Sequence, residues 1–217
     1  MLFSGASSAR SSDDVEAGDG VASSAKFSIE VCGPAHARRI EAERLVRERF
    51  ELTHAARIHT FMPSLLMYTD WTGALWGVAG ARSAADDPLF LERYLDMPIE
   101  RVIATRTGAK VQRKRIVEIG NFACRTPRVA TRFVASLPRF LIGQDYTWVT
   151  FTATASVRRI LKCLGARCVD LGRADGACAG RGVDDWGRYY ASDPHVMAGF
   201  LPLARRIPSL WSGFRAN

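Results

Sequence analysis

Apolar and polar residues follow two periodicities along most of the chain, and these predict short β-strands and amphipathic helices. Strand character, meaning β-branched or aromatic runs or strict alternation, occurs in seven segments. They are residues 26–32, 64–69, 74–82, 115–119, 146–154, 168–171 and 186–191. A short turn that ends in Gly73 joins the second and third segments, so we predict a β-hairpin there.

Helical periodicity is clearest in residues 35–52, where apolar residues form one stripe and opposite charges stand three or four positions apart. A second amphipathic helix is expected to begin at Pro127, since Thr126 is a favourable N-cap and proline suits the first helical position. Ser156 is the predicted N-cap of a third helix, which Gly165 ends. Three further segments are compatible with short helices: residues 53–63, 89–95 and 99–105.

The order of these elements predicts one mixed α/β (α+β) domain rather than a doubly wound parallel sheet. Residues 1–25 are rich in Ser, Ala, Gly and Asp without periodicity, so we predict a disordered tail. The folded domain is predicted over residues 26–195. Residues 196–217 contain two prolines and scattered apolar side chains, which predicts an irregular C-terminal extension.

The formal net charge of the 217-residue chain is +8, and the positive charge is concentrated in its centre. Residues 101–139 contain ten basic residues and a single acid, Glu118. Such a field favours an anionic partner; nucleic acid is supported by charge alone, and we rank it last. Five cysteines at spacings typical of no metal site predict a reduced, cytoplasmic protein without a structural metal. The sequence also contains neither a recognisable secretory signal nor an apolar run of about 20 residues.

Glu118 is the most informative single residue, because a carboxylate inside a β-branched run must be paired, solvated in a cleft or shifted in pKa. Two interpretations are equally supported. Glu118 can act as a base or clamp for a substrate amine, or it can form an ion pair with Arg82. Arg82 ends a predicted strand and can instead bind a carboxylate or phosphate group.

The N-terminal end of the helix at Pro127 carries Arg125 and Arg128. Free backbone N–H groups and the helix dipole favour an anionic ligand at such an end, and a solvated basic helix end is the alternative. Packing is the favoured role of Cys124, and His54 is more often a surface or packing residue than a catalytic one. Small residues in the strand at 74–82 indicate that something approaches its backbone closely.

Five segments resemble the thermostable hemolysin family: residues 89–98, 116–123, 149–154, 161–165 and 186–190. They occur in family order between about residues 30 and 200. The order of elements is also similar, more distantly, to the N-acetyltransferase (GNAT) superfamily and to its acyl-homoserine-lactone synthases. The segments that carry this second resemblance are residues 47–50, 80–82 and 118–121.

The resemblance implies a GNAT-like mixed central sheet of about six to seven strands, with a splayed central pair that admits the thioester arm of the donor. It implies an acyltransferase that uses acyl-CoA or an acyl-phosphopantetheine carrier protein as donor and an amine as acceptor. By position, Glu118 and Arg82 would be catalytic. The donor would be bound by Asn121, Phe122, Ala123, Arg125 and Arg128.

Two departures from the superfamily pattern affect the choice of substrates. Asn121 stands where the synthases have an arginine, and the usual glycine-rich pyrophosphate loop is absent, which favours a carrier-protein donor. The family name also suggests an alternative, a membrane-active protein of the haemolysin type. The basic charge and an apolar C-terminal segment that contains Trp211 would then support peripheral contact with a membrane.

Overall fold

A computed structural model describes residues 27–180 and 182–204, which form a seven-stranded sheet in the order β1-β2-β3-β4-β5-β7-β6. The strands are β1 Phe27–Cys32, β2 Ser64–Asp70, β3 Leu75–Ser83, β4 Ile116–Cys124, β5 Trp148–Ala153, β6 Cys168–Arg173 and β7 His195–Phe200. The α-helices are α1 Arg39–His54, α2 Ile99–Thr107, α3 Pro127–Gly143, α4 Ala155–Cys163 and α5 Leu201–Ala204. Short 3₁₀ helices lie at Phe90–Tyr94, Arg113–Arg115, Gly176–Ala179, Val183–Trp186 and Tyr190–Ser192.

The sheet is mixed, which confirms the predicted fold class. Neighbouring strands are antiparallel except for β4 and β5, which run parallel. Parallel neighbours need a crossover connection, and α3 supplies it. Its start matches the prediction, because the Thr126 side chain accepts a hydrogen bond from the Val129 N–H (3.2 Å) and Pro127 is the first helical residue.

The core lies on both faces of the sheet, and successive residues of β2 point to opposite faces. Leu65 and Met67 pack on the side of α1, whereas Leu66 and Tyr68 pack on the side of α3. The Tyr68 ring stacks on Phe133 with the centroids 4.6 Å apart. Because both faces are covered, β2 is an almost continuous apolar run and does not alternate.

Glu92 organises the excursion between β3 and β4. Its carboxylate accepts hydrogen bonds from the backbone N–H groups of Leu89 and Ile99, both at 2.8 Å, and pairs with Arg113 at 2.6 Å. Arg113 also reaches Glu100 on α2 at 2.8 Å. The segment 89–98 that resembles the family therefore holds the 3₁₀ helix, α2 and the start of β4 together.

The strand predicted at residues 186–191 is wrong. Gly187 has a φ of 50°, which an extended strand cannot accommodate, and the 3₁₀ helices at Val183–Trp186 and Tyr190–Ser192 occupy this region instead. The last strand of the described residues is β7, which begins at the end of the predicted domain and continues into the predicted irregular extension. It inserts between β5 and β6 and is antiparallel to both.

Three smaller expectations also need correction. Residues 55–63 contain no helix, because Ala55 is left-handed (φ 53°) and ends α1. The third predicted helix begins at Ala155 with Thr154 as its N-cap, so Ser156 lies inside it. Strand β4 continues to Cys124 and does not end near residue 119. The predicted tail and residues 205–217 lie outside the described residues.

Candidate active site

The two parallel central strands separate half-way along their length, as a splayed pair should. β4 and β5 are paired only from Ile116 opposite Trp148 to Ile119 opposite Phe151, and residues 120–124 of β4 have no partner in β5. Asn121 has a φ of 44°, and the register with β3 shifts beside it. Such a bulge bends a strand away from its neighbour and leaves backbone groups free to pair with an extended ligand.

A cavity of about 560 Å³ opens at this separation. Many of its lining side chains are apolar and come from α3, β5, α4, the end of β7 and α5. These side chains are Val134, Leu137, Pro138, Leu141, Val149, Phe151, Val157, Leu161, Phe200, Leu201 and Leu203. A second group of lining side chains is mainly aromatic and consists of Phe50, His54, Phe61, Phe90, Tyr94, Trp186 and Tyr189. The volume lies in the range typical of small-molecule sites.

Glu118 lines the cavity but is only 3% exposed, and two backbone N–H groups donate hydrogen bonds to its carboxylate. Oε2 accepts from the Phe90 N–H (2.8 Å) and Oε1 from the Leu91 N–H (3.1 Å). Burial raises the pKa of Glu118, while these two hydrogen bonds and the positive charge of Arg82 oppose that rise. The carboxylate therefore anchors the 3₁₀ helix at Phe90–Tyr94 to β4, a contact that the sequence analysis missed.

Arg82 lies opposite Glu118 in the register of β3 and β4 and also lines the cavity. Within the described residues it forms no ion pair with Glu118. Its guanidinium makes one long hydrogen bond there, from Nη1 to the Pro88 carbonyl at 3.4 Å. A guanidinium has five N–H donors, so most of those on Arg82 remain available to an anionic ligand.

The side chain of Asn121 on β4 forms hydrogen bonds with the backbone of residues 60–62, which precede β2. Its Oδ1 accepts from the Met62 N–H (3.0 Å), and its Nδ2 lies 3.5 Å from the Thr60 carbonyl. Glycines make room for this segment: a Cβ on Gly80 would lie 2.8 Å from Asn121 Oδ1, and one on Gly120 2.6 Å from Met62 Cε. The small residues of β3 thus mark a close approach, as their sequence indicated.

The other predicted donor-binding residues are not brought together. Phe122 lines the cavity, but Ala123 packs in the core on the side of α1. Arg125 and Arg128 are exposed at the start of α3 and do not line the cavity, and Arg125 donates from Nε to the Leu75 carbonyl at 2.7 Å. Cys124 is buried, which raises the pKa of its thiol to about 12 and suits a packing role.

His54 lines the cavity, although the sequence favours a surface or packing role for it. Its ring lies against Phe50 and Tyr189, with centroids 5.9 and 5.3 Å apart. Phe50 precedes His54 by four positions on α1, and this i, i+4 spacing already placed both on one face of the helix. Burial lowers the pKa of His54, and the nearby cation of Arg188 acts in the same direction.

Within residues 27–180 and 182–204, no group of three or more His, Cys, Asp or Glu residues is placed to hold a metal ion. None of the helices in these residues is both long enough and apolar enough to cross a membrane.

Solved structures with a similar fold include several acyl-transferring synthases. An N-acyl amino acid synthase from uncultured soil microbes, FeeM, superposes with a TM-score of 0.59 at 14% identity, covering 86% of this chain and 96% of its own. The acyl-homoserine-lactone synthase LasI superposes with a TM-score of 0.56 at 10% identity, covering 89% of this chain and 98% of its own. For the CoA-dependent acyl-homoserine lactone synthase MesI the TM-score is 0.53 at 16% identity, and the match covers 88% of this chain and 97% of MesI.

At these identities the likeness concerns the fold, and it confirms the GNAT-like architecture. A search of curated proteins finds no significant match. The family model for thermostable hemolysin matches residues 32–204, which include all strands of the sheet except most of β1. This chain therefore belongs to the thermostable hemolysin family.

Proposed function

We propose that the protein is an acyltransferase that moves an acyl group from a phosphopantetheine thioester to an amine. The observation that carries this proposal is the separation of β4 and β5, which opens directly into a largely apolar cavity. A thioester arm entering the gap would pair with the free backbone edge of β4 and place its acyl chain among α3, α4 and β7.

The apolar part of the cavity favours a long acyl chain. Each methylene removed from water contributes about 0.8 kcal/mol, or roughly a fourfold gain in affinity. Either acyl-CoA or an acyl-carrier protein can present the same arm. The exposed Arg125 and Arg128 beside the end of β4 favour the carrier protein, because an acidic partner would meet a basic rim there.

The acceptor side is formed by Arg82 and the aromatic residues. The unused donors of Arg82 suit a carboxylate, and the rings suit an apolar or aromatic body. We therefore propose an α-amino acid as acceptor. FeeM is described as an N-acyl amino acid synthase, which supports this choice. Asn121, which occupies the place of an arginine of the synthases, is engaged with the segment 60–62 and positions the wall of the site.

The chemistry requires no additional reactant. The lone pair of the amine attacks the thioester carbonyl carbon, and the C–N bond forms. The C–S bond then breaks, and the sulfur leaves as a thiol with the proton that the amine nitrogen loses. The N–H groups of β4 beyond Ile119 have no partner in β5 and are candidates to stabilise the oxyanion of the tetrahedral intermediate.

The test follows thiol release from the purified protein with acyl-CoA and acyl-carrier protein of increasing chain length, each with a pool of amino acids. We expect thiol release that depends on an amino acid, rises with chain length and yields an acylated product by mass spectrometry. Arg82→Gln should raise KM for the amino acid and leave that for the donor unchanged. If the wild-type protein releases no thiol with any donor and instead makes liposomes leak, the membrane-active alternative is correct.

A further inference from the structure

We propose that His54 is the general base that takes the proton from the acceptor amine. The inference rests on the proposed acyl transfer and adds a catalytic residue to it. The family resemblance implies a catalytic role for Glu118 by position, but Glu118 and His54 have different surroundings in the structure.

The imidazole of His54 lies in the same cavity wall as Glu118, connected to it by a continuous row of rings. His54 contacts Tyr189, whose ring lies 5.2 Å from that of Trp186, and Trp186 lies 5.8 Å from Phe90. The backbone N–H of Phe90 then donates to Glu118. The base and the acceptor-side carboxylate therefore share one aromatic surface.

The segment 186–190, one of those that resemble the family, fixes the position of His54. The backbone N–H of Arg188 donates to the His54 carbonyl at 2.7 Å. Gly187 passes so close that a Cβ there would lie 2.4 Å from the His54 carbonyl oxygen, and its φ of 50° also favours glycine. Residues that were predicted to form a strand thus hold the end of α1 in place.

The other ionisable groups that line the described cavity are poor proton acceptors. Both oxygens of Glu118 already accept main-chain hydrogen bonds. The hydroxyl of Tyr94 bonds that of Tyr190 at 2.7 Å, and burial raises the pKa of Tyr94 well above its usual value. Burial raises the pKa of the Cys168 thiol to about 11, so it stays protonated.

His54 differs from Glu118 and Tyr94 in that no hydrogen bond within the described residues engages its side chain. The groups that act on its charge are its buried surroundings and the cation of Arg188, and both lower its pKa. The Tyr189 phenol beside it remains neutral, because burial raises the pKa of that phenol. The imidazole is therefore neutral at pH 7 and can accept a proton.

The balanced step is as follows. His54 takes one N–H proton as the amine lone pair forms the bond to the carbonyl carbon. The C–S bond then breaks, and the imidazolium returns its proton to the leaving sulfur. Acid protonates His54, so activity should fall as pH drops through a pKa below its ordinary 6.5.

The test compares His54→Gln with His59→Gln, which makes the same change at an exposed position. We expect His54→Gln to lower kcat by about 10²- to 10⁴-fold and to remove the acid limb of the pH profile of kcat/KM. His59→Gln should keep both. His54→Ala should regain activity with added imidazole, which a residue needed only for folding would not show.

The possible failures can be told apart. Absence of thiol release from the wild-type protein overturns the proposed acyl transfer, and this inference with it. An active wild-type protein whose His54→Gln variant keeps the rate and the acid limb overturns the inference alone. So does loss of activity in His54→Ala that imidazole does not restore.

Discussion

Replacing Glu118 with Gln tests whether this carboxylate anchors the 3₁₀ helix at Phe90–Tyr94. Glutamine has nearly the same shape but only one acceptor oxygen, so it can receive one of the two N–H groups from Phe90 and Leu91. The amide NH₂ of the glutamine would face the second backbone N–H group, and two donors cannot form a hydrogen bond with each other. A buried N–H left without a partner costs about 1–3 kcal/mol.

The loss of the buried charge offsets part of this cost, because burial raises the pKa of Glu118 and so disfavours its ionised form. We therefore expect the lower end of that range, about 1 kcal/mol, or a fall of about 2–4 °C in melting temperature for a chain of this size. Thermal unfolding measures the shift. Amide hydrogen exchange locates it, since the N–H groups of Phe90 and Leu91 should exchange faster.

The matched control is Glu48→Gln, which changes the same group at an exposed position on α1 and should leave the melting temperature unchanged. Unaltered melting and unaltered exchange at Phe90 and Leu91 in Glu118→Gln would refute the anchoring role. A normal melting temperature with a large loss of kcat would instead identify Glu118 as the base.

Three further predictions concern the scaffold and the cavity. Arg113→Met should destabilise the protein by about 1–3 kcal/mol in denaturant unfolding, because it leaves Glu92 without its cation. Burial raises the pKa of Glu92, but the hydrogen bonds from Arg113, Ile99 and Leu89 together outweigh this effect and lower it. The difference in free energy of unfolding between Arg113→Met and wild type should therefore shrink as the pH falls below 4.5, the ordinary pKa of a glutamate. Gly80→Ala should lower the melting temperature, since its Cβ would press on Asn121; an unchanged value would contradict this contact. Leu161→Trp should shift the chain-length preference towards shorter acyl groups in the thiol-release assay, and an unchanged preference would place the acyl chain elsewhere.

Several site features depend on contacts that the sequence does not specify. The small residues of β3 indicate that something approaches its backbone, but the sequence does not show that Met62 is what approaches Gly80. The partners of Glu118 lie 27 and 28 positions earlier in the chain and are backbone groups, so no residue type marks them. Likewise, Gly187 fixes His54 from a distant segment whose apolar residues resemble a strand.

The sequence by itself determined α1, α3 and the β2–β3 hairpin, because helix periodicity, the Thr126 cap and the turn at Gly73 act between residues that are close in the chain. The resemblance of its motifs also gave the family and the mixed sheet. Only the tertiary structure decided that β7 fills the place between β5 and β6, where its partners lie more than 20 positions away. It also decided which cavity groups are already hydrogen-bonded and which are free. Local patterns specify elements, whereas the proposed roles of Glu118 and His54 depend on which distant groups the fold brings to them.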